Sequence, residues 1–232
     1  MSTNSPVKFT TASVGKKVLM AVSGAVFVLF VIVHLIGNLQ IFIGQEQLNK
    51  YAETLQSMGA LKWGFRLFLF IFFFIHIWKG LVLWLENKKA RPVGYQKDDT
   101  LEASIASRTM IYTGGLIFFF VVYHLLHFTM IVTNPEYHNL PLVDGRFDVY
   151  TMIILGFQQV PVAVAYMAAM IFLAFHLSHA ISSMFQTVGL NSPTIEPKLK
   201  AVANLLAIVI CLGYLSIPIA VLTNFVTTGG GM

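Results

Sequence analysis

Long apolar stretches separated by short polar ones set the pattern of this chain. No Asp, Glu, Lys or Arg occurs from Val18 to Gly44, nor between Asp148 and Glu196. About 20 apolar residues cross the hydrocarbon core of a bilayer as a helix. Five segments meet that length, over roughly 17–43, 62–86, 108–133, 157–186 and 200–226. Pro161 falls in the first turn of the fourth segment, where a missing N–H costs nothing. Pro218 lies inside the fifth and predicts a kink. Residues between Tyr150 and Phe157 read as interfacial.

Composition agrees with the pattern. Of 232 residues, 56% are hydrophobic and 11% charged, against about a quarter charged in a soluble domain. The fold class expected is all-α integral membrane, one domain over 1–232. Lys16 and Lys17 before the first stretch give it the flank of a signal peptide. Its uncharged run is longer than the about 7–15 residues of a signal h-region, so a retained first span is expected. Cys211 is the one cysteine, which excludes a disulfide framework or a cysteine metal cluster within the chain. No C-x-x-C-H occurs, so covalent haem attachment is excluded as well.

The net charge of +5 matters less than its distribution, and no nucleic-acid partner is expected. With the N-terminus inside, the inner side holds Lys8, Lys16, Lys17, Lys79, Lys88, Lys89, Arg91, Lys97, Arg108, Lys198 and Lys200. The outer side holds Lys50, Lys62, Arg66 and Arg146. The positive-inside rule then predicts a cytoplasmic N-terminus and an outer C-terminal "TTGGGM". "ENKKARPVGYQKDDT" reads as a cytoplasmic loop able to touch a partner.

Candidate chemistry comes from histidine. His138 sits in a polar loop; His34, His76, His124, His127, His176 and His179 all fall within expected spans. Ionisable groups at membrane depth are costly and face the bundle interior. One plain reading is that each bonds to a neighbouring helix; six in four helices strain it. Counting back from the helix exits, at 1.5 Å per residue, puts His34 and His124 in an outer layer. The same count puts His76 and His176 in an inner layer. Two imidazoles per layer are too few for zinc, which takes four ligands, and the span interiors supply no carboxylate. Haem needs only two axial ligands from protein, and histidine is a common one. Two stacked b-type haems would conduct electrons across the bilayer.

The segments "VIVHLIGN", "FFFIHIWKG", "VVYHLLHF" and "FHLSHAISSMFQTVGL" resemble the five-helix, di-haem cytochrome b membrane anchor of succinate:quinone oxidoreductases, the succinate dehydrogenases and fumarate reductases. The resemblance implies a di-haem helical bundle in which His76 and His176 hold the inner haem iron and His34 and His124 the outer. It selects His176 over His179. It implies a flavoprotein with FAD and an iron–sulfur subunit on the cytoplasmic face, with dicarboxylate chemistry in the flavoprotein. Quinone, menaquinone in many relatives, would exchange electrons with this chain in the bacterial cytoplasmic membrane. Some fumarate reductases of this kind carry a glutamate two positions before the fourth-span histidine. Ala174 stands there, so a proton path through that carboxylate does not carry over.

No catalytic residue is assigned. His127 and His179, at i, i+3 from His124 and His176, share a helix face with them. Haem-propionate or quinone contact and helix–helix bonding stay open for both. Arg66, Lys79 and Arg108, near span ends, are candidates for propionate pairing or for snorkelling to the interface. Gly24, Gly37, Gly80, Gly114 and Gly115 offer close approach. Glu53, Asn38, Gln40 and Arg66 are polar candidates for an outer quinone site. Two other readings remain: a cytochrome b anchor of a hydrogenase or formate dehydrogenase, and a non-redox helix bundle such as a transporter or assembly factor.

Overall fold

The computed structural model describes residues 13–90, 105–190 and 192–228. Most of the expected cytoplasmic loop and the last residues of "TTGGGM" lie outside them, as does Lys8. Among the described residues the chain is all-helical apart from an isolated bridge between Val143 and Arg146. Helix α1 (Ser13–Asn38) continues as a 3-10 turn through Phe42, and α2 (Gln45–Ser57) follows. Next come α3 (Ala60–Lys89), α4 (Ile105–His124) with a π-helical turn over Leu125–Thr129, and α5 (Val149–Gln158). The chain closes with α6 (Val160–Thr187) and α7 (Glu196–Leu222). Five of these helices are long and apolar enough to cross a membrane, which makes this a multi-pass membrane protein in character.

The five long helices run antiparallel between two ends. The near end gathers the start of α1, the end of α3 and the α6–α7 connection. There Lys16 pairs with Glu86 and Gln186 reaches Glu196. The far end gathers α2, the 130–148 loop and α5, with Arg146 paired to Glu53 at 2.8 Å. Helix α6 packs against α1, α4 and α7, burying Ala163, Tyr166, Met170, Leu177 and Ile181. Small residues let the α6–α7 backbones close: Ala203 and Ala207 are buried in this seam. The Tyr214 hydroxyl donates to the Val31 carbonyl at 2.8 Å and ties α7 to α1.

Helix α3 differs. It leans on α1 with few neighbours elsewhere and buries no residue. Phe65, Phe70, Phe74 and Trp78 point outward, as expected of a face whose solvent is lipid.

Three boundaries depart from the sequence expectation, each with a local cause. The third span stops near Thr129, short of 133. The ladder there slips to a π register, the Met130 N–H donating to the Leu125 carbonyl at 2.7 Å, and Ile131 turns to φ 52°. The fourth span starts at Val160, slightly later than expected, because Pro161 has no N–H to give the Phe157 carbonyl. Gln159 is extended at the break, and α5 forms a separate short helix over the residues expected to be interfacial. The fifth span starts at Glu196, earlier than expected, with a proline in its first turn. Pro218 lies inside that helix, buried.

At the far end α2 is clamped to α5. Asp148 caps α5, its carboxylate accepting from the Thr151 N–H at 3.1 Å. It also accepts from Asn49 Nδ2 at 2.9 Å and Gln45 Nε2 at 2.8 Å. Asn49, 1% exposed, accepts in turn from the Tyr150 N–H at 3.0 Å. Burial alone pushes the Asp148 carboxyl up, but the donors from Thr151, Asn49 and Gln45 together hold it below the ordinary aspartate range.

Candidate functional site: two histidine pairs along one cavity

A cavity of about 1520 Å³ runs between α1, α3, α4 and α6, more than the about 300–1,000 Å³ of one small-molecule site. Its wall begins at Val14, Lys17, Arg108 and Gln186 at the near end. It reaches Asn38, Val149 and Phe157 at the far end, and His34, His76, His124 and His176 all face it. Apolar walls of Phe27, Phe73, Phe118, Met170 and Leu173 leave these imidazoles as the main polar feature of its middle.

The four histidines stand in two pairs. His76 and His176 face each other near the basic end, ring centroids 6.3 Å apart and planes at 64°. His34 and His124 face each other toward the far end, at 5.8 Å and 81°. The depth count from helix exits predicts the same partners. Two imidazoles bound to opposite sides of one metal, each nitrogen about 2 Å away, put their centroids roughly 6 Å apart. The spacing leaves room for one metal ion between the imidazoles of each pair. Among the described residues no group of three or more His, Cys, Asp or Glu converges. The chain offers two donors per position, which suits a group carrying its own equatorial ligands.

The near pair is oriented by a repeated device. His76 Nδ1 lies 3.2 Å from Ser23 Oγ on α1. His176 Nδ1 lies 3.2 Å from Thr113 Oγ1 on α4. Each hydroxyl already donates to carbonyls of its own helix: Ser23 to Leu19 and Met20, Thr113 to Thr109 and Met110. With the single hydroxyl proton given to one of these carbonyls, each oxygen can accept from an imidazole that carries its proton on Nδ1. Nε2 is left with a free lone pair, the form that binds metal. The following residue is glycine in both cases. A Cβ on Gly24 would stand 3.6 Å from His76 Cε1, and one on Gly114 would stand 3.4 Å from His176 Cε1. Gly115 opens to the cavity, with nothing within 4 Å of its Cβ position.

The sequence carries a signal for this device. Thr113, Gly114, Phe120 and His124 follow Ser23, Gly24, Phe30 and His34 at one constant offset, and Phe172 and His176 follow Phe72 and His76 at another. The α1–α3 and α4–α6 pairs are two versions of one unit. Each gives a ligand candidate to either layer and a hydroxyl–glycine cradle to its own near-end histidine.

The remaining candidates separate clearly. His179 lines the cavity wall toward the near end. His127 does not: the π turn carries it away to a fully buried place against Tyr166, with Nδ1 3.0 Å from the Tyr166 hydroxyl. Arg108 is exposed at the near mouth of the cavity. Arg66 is exposed and lies over the Trp63 ring at 5.0 Å, away from the cavity. Lys79, half-buried, is not part of the cavity wall. Of the outer polar candidates, Asn38 lines the cavity and donates to the His34 carbonyl at 2.7 Å. Glu53 is engaged by Arg146, and Gln40 accepts from Gln47 at 2.9 Å. Gly37 packs under the Tyr51 ring and Gly80 against Met20.

No protein-family model matches this chain, and no curated protein or solved structure matches it. The functional reading therefore stands on the residues themselves.

Proposed function

We propose that this chain is the di-haem cytochrome b membrane anchor of a succinate:quinone oxidoreductase, in the bacterial cytoplasmic membrane. The observation that carries the reading is two facing imidazole pairs at two depths of one apolar cavity. The sequence resemblance supplies the particular complex. A haem in each pair would accept and release one electron at a time, linking an iron–sulfur partner to membrane quinone.

The chain's own residues do the rest. His76 and His176 hold the position nearer the basic end, and His34 and His124 the other. Ser23 and Thr113 keep the Nδ1 protons in place, so Nε2 stays available as a ligand. Gly24, Gly114 and Gly115 leave room for a flat ring beside the helices. The phenylalanines of the wall exclude water, which lowers the local dielectric and strengthens every polar contact within. Lys17, Arg108 and His179 give the near mouth a cationic, hydrogen-bonding rim suited to carboxylates. The near end, rich in Lys, faces the cytoplasm and the docked flavoprotein and iron–sulfur subunit.

The test is a reduced-minus-oxidised spectrum with a haem-to-protein ratio on the complex purified through this chain. The reading expects b-type bands, two haems per chain, and a flavoprotein with covalent FAD in the same complex. A metal-centred hydrogenase or formate dehydrogenase in its place would reassign the partner. A fully assembled complex with no b-type bands would leave a non-redox bundle.

A further inference from the structure

The far histidine pair lacks the cradle that orients the near pair. Among the described residues, no side-chain hydroxyl bonds to either ring nitrogen of His34. Its ring stacks on Phe30 at 5.3 Å and leans on Tyr214 at 6.3 Å. His124 has a different partner. The Tyr166 hydroxyl lies 3.4 Å from His124 Nδ1 and 3.0 Å from His127 Nδ1. One hydroxyl thus stands between two imidazoles, and Tyr166 is 6% exposed. The corresponding position of the α1–α3 unit is Arg66, which points away. The tyrosine is an addition to one half of the repeat.

The proton count fixes the direction of this chain. An imidazole that gives Nε2 to a metal keeps its proton on Nδ1. His124 Nδ1–H then donates to the Tyr166 oxygen. That oxygen has one proton of its own, and the acceptor in reach is His127 Nδ1. His127 must therefore carry its proton on Nε2. This nitrogen is the one buried side-chain polar atom among the described residues without a hydrogen-bond partner. Leaving such a group unpaired is destabilising. The cost is explained if His127 is kept for what its other nitrogen does. Local structure enforces the arrangement: the π turn at Leu125–Thr129 aims His127 at α6. Gly156 makes room as well, since a Cβ there would stand 2.8 Å from Phe128 and 3.2 Å from His127 Cε1.

We propose that Tyr166 and His127 are positioning residues for the far iron site, forming a hydrogen-bond chain from His124 Nδ1–H through the Tyr166 hydroxyl to His127 Nδ1. The proposal rests on the reading of His124 as an iron ligand. Successive hydrogen bonds polarise one another. The chain thus makes His124 a more electron-rich ligand than a lone imidazole and favours the oxidised metal. It also makes the far site unequal on its two sides, His124 supported and His34 not.

The test uses the purified complex with haem loaded, and reads midpoint potentials and low-spin EPR signals of both haems. The far haem is the one lost in His34→Ala. Tyr166→Phe is expected to retain two haems, to raise the potential of the far haem and shift its EPR signal, and to leave the near haem unmoved. His127→Leu should move the far haem the same way by less. His127→Asn, whose Oδ1 restores an acceptor near the Nδ1 position, should return it toward the parent value. His127→Leu and His127→Asn probe the chain from its other end, so a Tyr166→Phe protein that fails to assemble leaves the test standing. Unchanged far-haem potential and EPR signal in a fully loaded Tyr166→Phe or His127→Leu complex would overturn the proposal. A parent complex with no b-type haem would instead overturn the reading on which it rests.

Discussion

The two histidine pairs use the same side chain at similar spacing, yet their surroundings differ. At the near pair both imidazoles rest in matching hydroxyl–glycine cradles, Ser23–Gly24 and Thr113–Gly114. At the far pair one imidazole meets a shared tyrosine and the other is held by ring stacking. A repeated helix unit explains the first arrangement, and a residue added to one copy explains the second. The lesson is that pair geometry comes from the repeat, while individual character comes from departures from it.

Breaking the pairs should give the largest effect. His76→Ala and His176→Ala are each expected to drop haem content from two per chain to one. His179→Ala should keep two, because His179 lines the wall without facing His76. Pyridine haemochrome quantification checks this, and equal haem loss in His179→Ala and His176→Ala would reverse the assignment.

Filling the cradle comes next. Gly114→Leu puts a side chain where His176 Cε1 already lies 3.4 Å from the Cβ position. It is expected to lower near-haem occupancy several-fold and leave the far haem in place. Gly145→Ala, in the far-end loop with positive φ, should affect neither haem and serves as a control.

Removing one cradle hydroxyl should be milder. Thr113→Ala removes the hydroxyl partner of the buried His176 Nδ1, at about 1–3 kcal/mol of stability, and Ser23→Ala removes that of His76, whose ring also meets the Met20 backbone. The near haem should shift potential upward in both, in the same direction, with the far haem unmoved. Shifts of opposite direction in the two variants would show that the repeat is geometric only.

The smallest expected effect lies at the far-end clamp. Asp148→Asn keeps a capping oxygen but loses the charge that Gln45, Asn49 and the Thr151 N–H stabilise, at about 1–2 kcal/mol. Because the folded carboxyl sits below its unfolded value of about 3.9, its stabilisation is fully present above that pH. It disappears as pH falls through the folded value. Thermal melts of the detergent-solubilised complex at pH 7 and below pH 4 should therefore converge for Asp148→Asn and the parent only at the acid end.

Much of the fold was legible because its signal is periodic and long. Long apolar runs give five spans, and loop charges suggest which ends belong together. Histidine depth, counted from helix exits, gives the right neighbours because a helix rises evenly. What the sequence concealed is local. A π turn changes a side chain's direction without changing the hydrophobic pattern, so His127 reads like a second cavity residue. The break at Gln159 lies inside an apolar run, yet Pro161 marks it within a few residues of the expected helix start. Helix α2 is polar enough to pass for a loop, though Asn49 is buried under Asp148. Ser23, Thr113 and Tyr166 are common residues whose roles depend on helices far apart in the chain. The one trace of Ser23 and Thr113 is the offset between the two helix units, and Tyr166 has none.

The central claim is that His34 pairs with His124 and His76 with His176. The most direct measurement is low-spin haem EPR, with haem content, on the four single His→Ala variants of the assembled complex. With this pairing, His34→Ala and His124→Ala abolish one and the same signal, and His76→Ala and His176→Ala abolish the other. Loss of a common signal in His34→Ala and His76→Ala, or full retention of both haems in any of the four, would contradict it.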